Sequence, residues 1–249
     1  MITKTDYSFE QNTWWEYYFL PFHFGGSKLS SPQPTGAAYL APLLFYILTA
    51  WLVSFMILSN QMYHEYLFSV MEQRGSHNPE ALEMARIGFE HLTENPLLCV
   101  LFAAFWTLKS IIILVFIVIS LLSLRLVTTQ TIRSSEIILT ALLSSFPLTI
   151  ANIIYGLLRL LLLLDDANIG LSLLIPAENR VGKIYEILNY YDLFSLWFIA
   201  LFAYRVSKSY SEKYFTIFTI SLFAYTIGLG IYHLINLDLF LTLFLSSWE

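Results

Sequence analysis

Apolar residues in this sequence occur in long, nearly unbroken runs rather than at the spacing of an amphipathic helix or strand. A helix needs about 20 mostly apolar residues to cross the hydrocarbon core of a bilayer. Runs of about this kind cover residues 37–60, 96–124, 136–164, 192–206 and 214–235, and the fourth extends backward through Tyr190 and Tyr191. The pattern predicts an all-α integral membrane protein with five transmembrane helices over residues 37–235.

The pattern changes between the first and second predicted spans. Helical spacing continues past the first span through Met62, Tyr66 and Val70 and stops near Gly75, because glycine commonly terminates helices. This periodicity predicts one helix that runs on from the first span.

A second amphipathic segment follows, with Leu82, Ala85, Phe89 and Leu92 at intervals of three and four. Asn-Pro pairs at 78–79 and 95–96 supply a cap and a first-turn proline for this helix and for the second span. We therefore expect a helical hairpin over about 60–95. It either stands up to roughly 20 Å from the membrane or lies flat, and its apolar residues, including Leu82 and Phe89, pack internally or contact a partner.

Composition excludes several classes of protein. Hydrophobic residues make up 57% of the chain and charged residues only 12%, about half the charged share of an ordinary soluble protein. The net charge of -5 provides no basic surface for nucleic acid. Cys99 is the only cysteine in the sequence, which excludes a disulfide scaffold.

Basic residues predict the orientation, since they accumulate in cytoplasmic loops. Seven fall on the side of the N-terminus: Lys4, Lys28, Arg125, Arg133, Arg205, Lys208 and Lys213. Four fall on the opposite side: Arg74, Arg86, Arg180 and Lys183. We expect a cytoplasmic N-terminus, an outer C-terminus and a hairpin on the outer side. Residues 1–36 are then a cytoplasmic or interfacial segment, and residues 236–249 a short outer segment.

An aromatic segment at residues 13–24, which contains Trp14 and Trp15, precedes the first span. Tryptophan and tyrosine at this density are typical of the headgroup zone. The segment is either an interfacial anchor or a recognition site for a cytoplasmic partner.

Polar residues inside the predicted spans are the main candidates for function, because burying them in lipid is costly. Lys109 lies near the middle of the second span and is either a structural tie or a substrate-coupling or ion-coupling residue. The third span carries a polar and small-residue stripe at helical spacing: Ser145, Thr149, Asn152, Gly156 and Arg159. Such a stripe favours close helix packing over a transport pathway, with Pro147 kinking the helix. Arg159 has possible partners in Asp165, Asp166 and Asp192.

The sequence contains no nucleophile elbow, P-loop or dinucleotide fingerprint. Histidines and acids collect on the expected outer side, but their spacing matches no zinc or EF-hand pattern: His64, Glu65, His77, His91, Glu94 and His233. We expect no enzymatic activity, no cofactor and no metal site.

A series of landmarks resembles the Yip domain family, membrane proteins named for interaction with Ypt/Rab GTPases and also present in bacteria. They are YYFLPFHF before the first span, ENPLLCVLF at the second, SSFPLTIANIIYG in the third, DLFSLW at the head of the fourth, and the basic loop RVSKSYSEKY. The resemblance runs from about Trp14 to His233. It implies five spans, a cytoplasmic N-terminus and no enzyme activity, and it makes Asp192 and Trp197 candidate partner contacts.

The short N-terminal segment favours a bacterial member of that family, located in the cytoplasmic membrane. The expected function is that of a non-enzymatic accessory or scaffold subunit of a membrane assembly. Its partners would be the lipid bilayer and other membrane proteins, such as an ABC-type transporter or further copies of the chain, but no nucleic acid. The alternative is a transporter component that forms a path through oligomerisation.

Overall fold

A computed structural model describes residues 18, 36–73, 79–128, 132–163, 169–175, 185 and 188–235. This part of the chain is helical, and its extended structure is limited to one antiparallel bridge between Gly170 and Asp192. The α-helices are α1 (Gly36–Leu58), α2 (Gln61–Gln73), α3 (Pro79–Glu94), α4 (Pro96–Leu121), α5 (Leu124–Val127), α6 (Ser134–Ser144), α7 (Phe146–Leu162), α8 (Leu193–Tyr210) and α9 (Tyr214–Ile235). A 3-10 helix covers Leu171–Leu174.

Among the described residues, four helical stretches are long and apolar enough to cross a membrane: Leu40–Leu58, Pro96–Val127, Ser134–Leu162 and Tyr214–Leu234. They coincide with the first, second, third and fifth predicted spans and identify an integral membrane protein. Ser134–Leu162 is the most deeply buried of the four, with 61% of its most apolar window inside the protein. It therefore presents the least surface to lipid.

Helix α8 occupies the position of the fourth predicted span and continues to Tyr210. The sequence prediction that Arg205 and Lys208 lie in a loop is therefore wrong, since both belong to the helix. The turn to α9 is only residues 211–213. Ser211 closes the helix in a left-handed conformation (φ 56°), and the Glu212 N–H donates to the Ser207 carbonyl at 3.1 Å, as at many helix C-termini.

The first predicted helix is not continuous into the hairpin, so that prediction is also wrong. The chain leaves the helix at Ser59 and Asn60, and the Asn60 Oδ1 accepts the Tyr63 N–H at 3.0 Å. An asparagine side chain often accepts a backbone N–H in this way at a helix N-terminus. Asn60 therefore caps α2, which begins as a separate helix.

The third predicted span is interrupted at Ser145, between α6 and α7. Pro147 lacks an N–H and its ring crowds the carbonyl four residues earlier. The helix therefore breaks at Ser145, two residues before the proline, and the Ser145 N–H donates to the Leu142 carbonyl at 3.1 Å instead. The kink predicted at Pro147 corresponds to this interruption of the helix.

Contacts divide the chain into two compact units. One contains the described residues within Met1–Leu43, Ile112–Pro147 and Ser195–Glu249, and the other contains those within Leu44–Ile111 and Leu148–Phe194. The core of the first includes the fully buried Phe198, Phe202 and Ile217.

The second unit contains an apolar cluster of Leu58, Leu92, Cys99 and Ala103, with Trp51, Phe55, Phe89, Leu98 and Phe102 packed around it. It joins the end of α1, the end of α3 and the start of α4. The hairpin helices α2 and α3 also pack on each other.

Candidate functional site

The polar residues on either side of the α6–α7 break are deeply buried. Ser145 is 0% exposed and Thr149 is 1% exposed. The Ser145 hydroxyl donates to the Leu142 carbonyl at 2.7 Å, which satisfies it within its own turn. This hydrogen bond satisfies the Ser145 hydroxyl locally, at the point where the helix is interrupted.

Gly156 allows α7 to approach α1 closely. A Cβ at this position would overlap the side chain of Val53, far inside van der Waals contact. Small residues at helix contacts in membranes have this role. Gly156 therefore serves helix packing within the second unit.

Asn152 and Arg159 complete the predicted stripe on α7, and both are partly exposed. Their Nδ2 and Nε atoms are buried, and within the part of the chain that the structure describes neither has a hydrogen-bond partner. Asp165 and Asp166, two of the carboxylates expected near Arg159, lie outside the described residues. These two donors are the polar atoms of the stripe that packing does not satisfy.

Asp192, the third expected partner of Arg159, is 7% exposed and holds a different group. It hydrogen-bonds the hydroxyl of Tyr155, which also accepts the Ile169 N–H at 3.4 Å. The Tyr155 ring packs edge-on against Phe194 at 5.5 Å. Tyr155 thereby links α7 to the segment before the 3-10 helix and to the start of α8.

The bridge between Gly170 and Asp192 brings these backbones very close. A Cβ on Gly170 would lie 3.0 Å from the Asp192 Cα. The Leu171 N–H donates to the Tyr191 carbonyl at 3.1 Å, and the Leu193 N–H donates to the Ile169 carbonyl at 3.0 Å. Asp192 therefore has a role inside the fold. Trp197, the other candidate contact on α8, is half-buried.

Arg205 is a buried charge that the sequence prediction missed. It is 0% exposed, and its Nη1 donates to the hydroxyl of Ser144 at 3.2 Å. The available signal was helical spacing with Phe198 and Phe202, which are also fully buried. A basic residue buried among apolar side chains marks a structural tie or a functional group, and this contact joins α8 to α6.

A second tie joins the same two helices near their ends. The Tyr210 hydroxyl donates to the Glu136 carboxylate, whose Oε2 also accepts the Arg133 N–H at 3.2 Å. Glu136 thus caps α6 and holds the last residue of α8. Together with the Arg205 contact, it fixes the two helices at two levels.

Lys109 lies near the middle of α4 and is partly exposed. The neighbouring Thr107 is buried, and its hydroxyl donates to the Ala103 carbonyl at 2.8 Å, within the same helix. The two roles considered for Lys109 both remain hypotheses.

The hairpin places Phe89 on its inner face, half-buried, with its ring against His64 and Phe68 of α2. The backbone of Leu82 belongs to α3, but its side chain lies outside the described residues, as do Trp14 and Trp15 entirely. Within the same aromatic segment, Tyr18 is fully buried against Phe146, with ring centroids 5.4 Å apart.

Within the described residues, no group of three histidine, cysteine or acidic side chains is arranged to hold a metal ion. The polar contacts join helices and loops to one another. No protein-family model, no curated protein and no solved structure matches this chain.

Proposed function

We propose that this protein is a non-enzymatic accessory or scaffold subunit of a membrane assembly, related to the Yip domain family. It crosses the bacterial cytoplasmic membrane five times, with α8 as the fourth span, a cytoplasmic N-terminus and an outer C-terminus. The hairpin of α2 and α3 then lies on the outer side. Its partners are other membrane proteins, such as an ABC-type transporter or further copies of the chain.

The observation that carries this proposal is the apolar surface of the hairpin. Although Phe89 and Leu92 fill its inner side, Met62, Met84 and Ile87 are 68%, 77% and 46% exposed. Met84 and Ile87 stand one turn apart on α3, outside the four apolar stretches. Flexible methionine side chains suit surfaces that bind other proteins, and exposed apolar groups mark interaction sites when they cluster.

The internal contacts of the polar and small residues within the predicted spans also support a scaffold. Gly156 packs on Val53, Ser145 bonds within its own turn, and Arg205 contacts Ser144. Groups engaged in internal contacts stabilise the fold and are not available to line a path.

The alternative, a transporter component that forms a path by oligomerisation, has one observation in its favour. The buried Asn152 Nδ2 and Arg159 Nε lie on the same helix without hydrogen-bond partners among the described residues. A permeating polar molecule would supply the missing acceptors. Substrate flux through liposomes that contain only this protein would favour this alternative.

Purification in mild detergent tests the scaffold proposal. The wild-type protein is expected to co-purify with a membrane partner or a further copy of itself in fixed stoichiometry. Ile87→Glu combined with Met84→Glu should abolish this association without lowering the melting temperature, because both side chains are exposed. The control is Glu83→Gln, another exposed position on α3, which should leave the association intact. A wild-type protein that purifies alone as a monomer would contradict the proposal.

A further inference from the structure

His64 is buried between the two helices of the hairpin. Its side chain on α2 is 4% exposed. Its ring lies 4.4 Å from the ring of Phe89 on α3, and Phe68 packs edge-on against the same Phe89 at 5.5 Å. The imidazole is therefore part of the apolar contact that holds the hairpin together.

Neither ring nitrogen of His64 has a hydrogen-bond partner among the described residues. A buried polar group in this situation costs free energy even when it is neutral. A charged imidazolium would cost considerably more, since it would lose its hydration without gaining a counter-ion. Burial accordingly lowers the pKa of His64 below its ordinary value of 6.5.

No carboxylate described on either helix is placed to stabilise a charged His64. Apart from His64 itself, the acidic and basic side chains described on α2 and α3 are all exposed to solvent: Glu65, Glu72, Glu83, Arg86, Glu90, His91 and Glu94. Arg86 is already paired with Glu90 at 3.4 Å. The buried Tyr63 on α2 and Cys99 on α4 belong to residue types that are uncharged between pH 5 and 7.

We propose that the hairpin is an acid-sensitive switch, in which protonation of His64 breaks its contact with Phe89 and releases α3 both from α2 and from the apolar cluster around Cys99. The proton is taken up by the open form, where water hydrates the imidazolium, and is excluded from the closed form by the contact with Phe89. The switch is a property of the hairpin itself and goes beyond the scaffold role proposed above.

The direction of the effect follows from the two protonation equilibria. The open form binds a proton near pH 6.5, and the closed form binds it only at lower pH. The closed form is therefore fully stable above about pH 6.5 and loses stability as the pH falls below that value. The open population rises by up to about tenfold at pH 5.5 relative to pH 7.5.

Cys99 provides a built-in reporter of opening. It is the only cysteine of the chain, it is 1% exposed, and it lies in the apolar cluster against which Phe89 packs. Separation of α3 from this cluster would uncover the Sγ atom. Modification of Cys99 by a small thiol reagent thus measures the open population without any engineered probe.

The experiment compares the Cys99 modification rate in the full-length wild type and in His64→Phe, in the same detergent, at pH 7.5 and pH 5.5. At each pH, the wild-type rate is divided by the rate of His64→Phe, which cancels the intrinsic pH dependence of the thiol. This ratio is expected to rise up to about tenfold on acidification. The control is His91→Phe, which replaces an exposed histidine of α3 and should keep the wild-type response.

An unchanged ratio between the two pH values would overturn the proposal, as would loss of the response in His91→Phe. If His64→Phe does not fold, trypsin cleavage at Arg86 in the wild type alone decides the matter. Normalised to a free peptide of residues 79–94, cleavage should accelerate at pH 5.5 if the hairpin opens. A constant normalised rate would exclude the switch.

Discussion

A hydrogen atom in place of a methyl group sets how closely α9 approaches α4. A Cβ at Gly228 would lie 3.0 Å from the carbonyl oxygen of Phe116 and 3.1 Å from the Cα of Ile117. Both atoms belong to the backbone, so that a side-chain rotation cannot relieve the overlap. Gly230, two residues later on α9, has open space at the same position.

We predict that Gly228→Ala lowers the free energy of unfolding by about 1–3 kcal/mol, because the helices must move apart. Gly230→Ala is the matched control and should be neutral or stabilising by up to about 1 kcal/mol, since alanine favours the helix. Thermal unfolding of the purified protein in one detergent measures both. Equal melting temperatures for the two variants would show that the close approach does not limit stability.

Arg205 shows at the same scale how a charge is accommodated inside a membrane protein. The guanidinium is fully buried, and one of its donors is bonded to Ser144. The predicted orientation counts Arg205 as a loop residue, which places seven basic residues on the side of the N-terminus. Removing it leaves six against four, because Lys208, in the last turn of α8, is exposed and still counts. The asymmetry persists but is weaker.

Among the elements, the helix ends are set by local hydrogen bonds that the sequence indicates clearly. The Asn95 Oδ1 accepts the N–H groups of Leu97 at 3.1 Å and Leu98 at 3.4 Å. Pro96 follows as the first helical residue, where its missing N–H costs nothing. The predicted Asn-Pro start of α4 is confirmed.

Replacing this cap has a defined cost. Asn95→Ala should destabilise the protein by about 0.5–2 kcal/mol, because two backbone donors at the start of α4 lose their acceptor. Asn95→Asp keeps an acceptor oxygen at the same position and should retain most of the stability. Chemical or thermal unfolding in detergent distinguishes the two variants. An alanine variant as stable as the aspartate variant would mean that water replaces the cap fully.

For the whole molecule, the topology depends on whether α8 crosses the membrane. It has 18 residues, and Arg205 and Lys208 reduce its hydropathy. With α8 as a span, residues before and after it face opposite sides. Without it, they face the same side.

Cysteine labelling in intact cells, in a Cys99→Ala background, tests this topology. We predict that Ile169→Cys, which precedes α8 and is exposed, reacts with a membrane-impermeant reagent from outside. Ser211→Cys, in the turn after α8, should be protected until the membrane is permeabilised. Gly88→Cys on the exposed surface of α3 serves as the outer-side control. Labelling of both 169 and 211 from outside would mean that α8 does not span.

The sequence by itself determined where the membrane helices lie and where several of them begin or break. Apolar run length, the Asn95 cap and the Pro147 break are local properties, and each is encoded within a few residues of the chain. The prediction of one continuous helix past the first span was wrong because the apolar periodicity continues beyond Asn60. That periodicity does not show that the Asn60 side chain caps a new helix.

Only the tertiary structure decided which polar groups are buried and what they contact. Ser144 and Arg205 are 61 residues apart in the chain, and His64 meets Phe89 on another helix. Tyr155 reaches Asp192 across a loop. Which face of a helix turns inward depends on the shape of its neighbours, and that information is distributed over the whole chain rather than carried by any one segment.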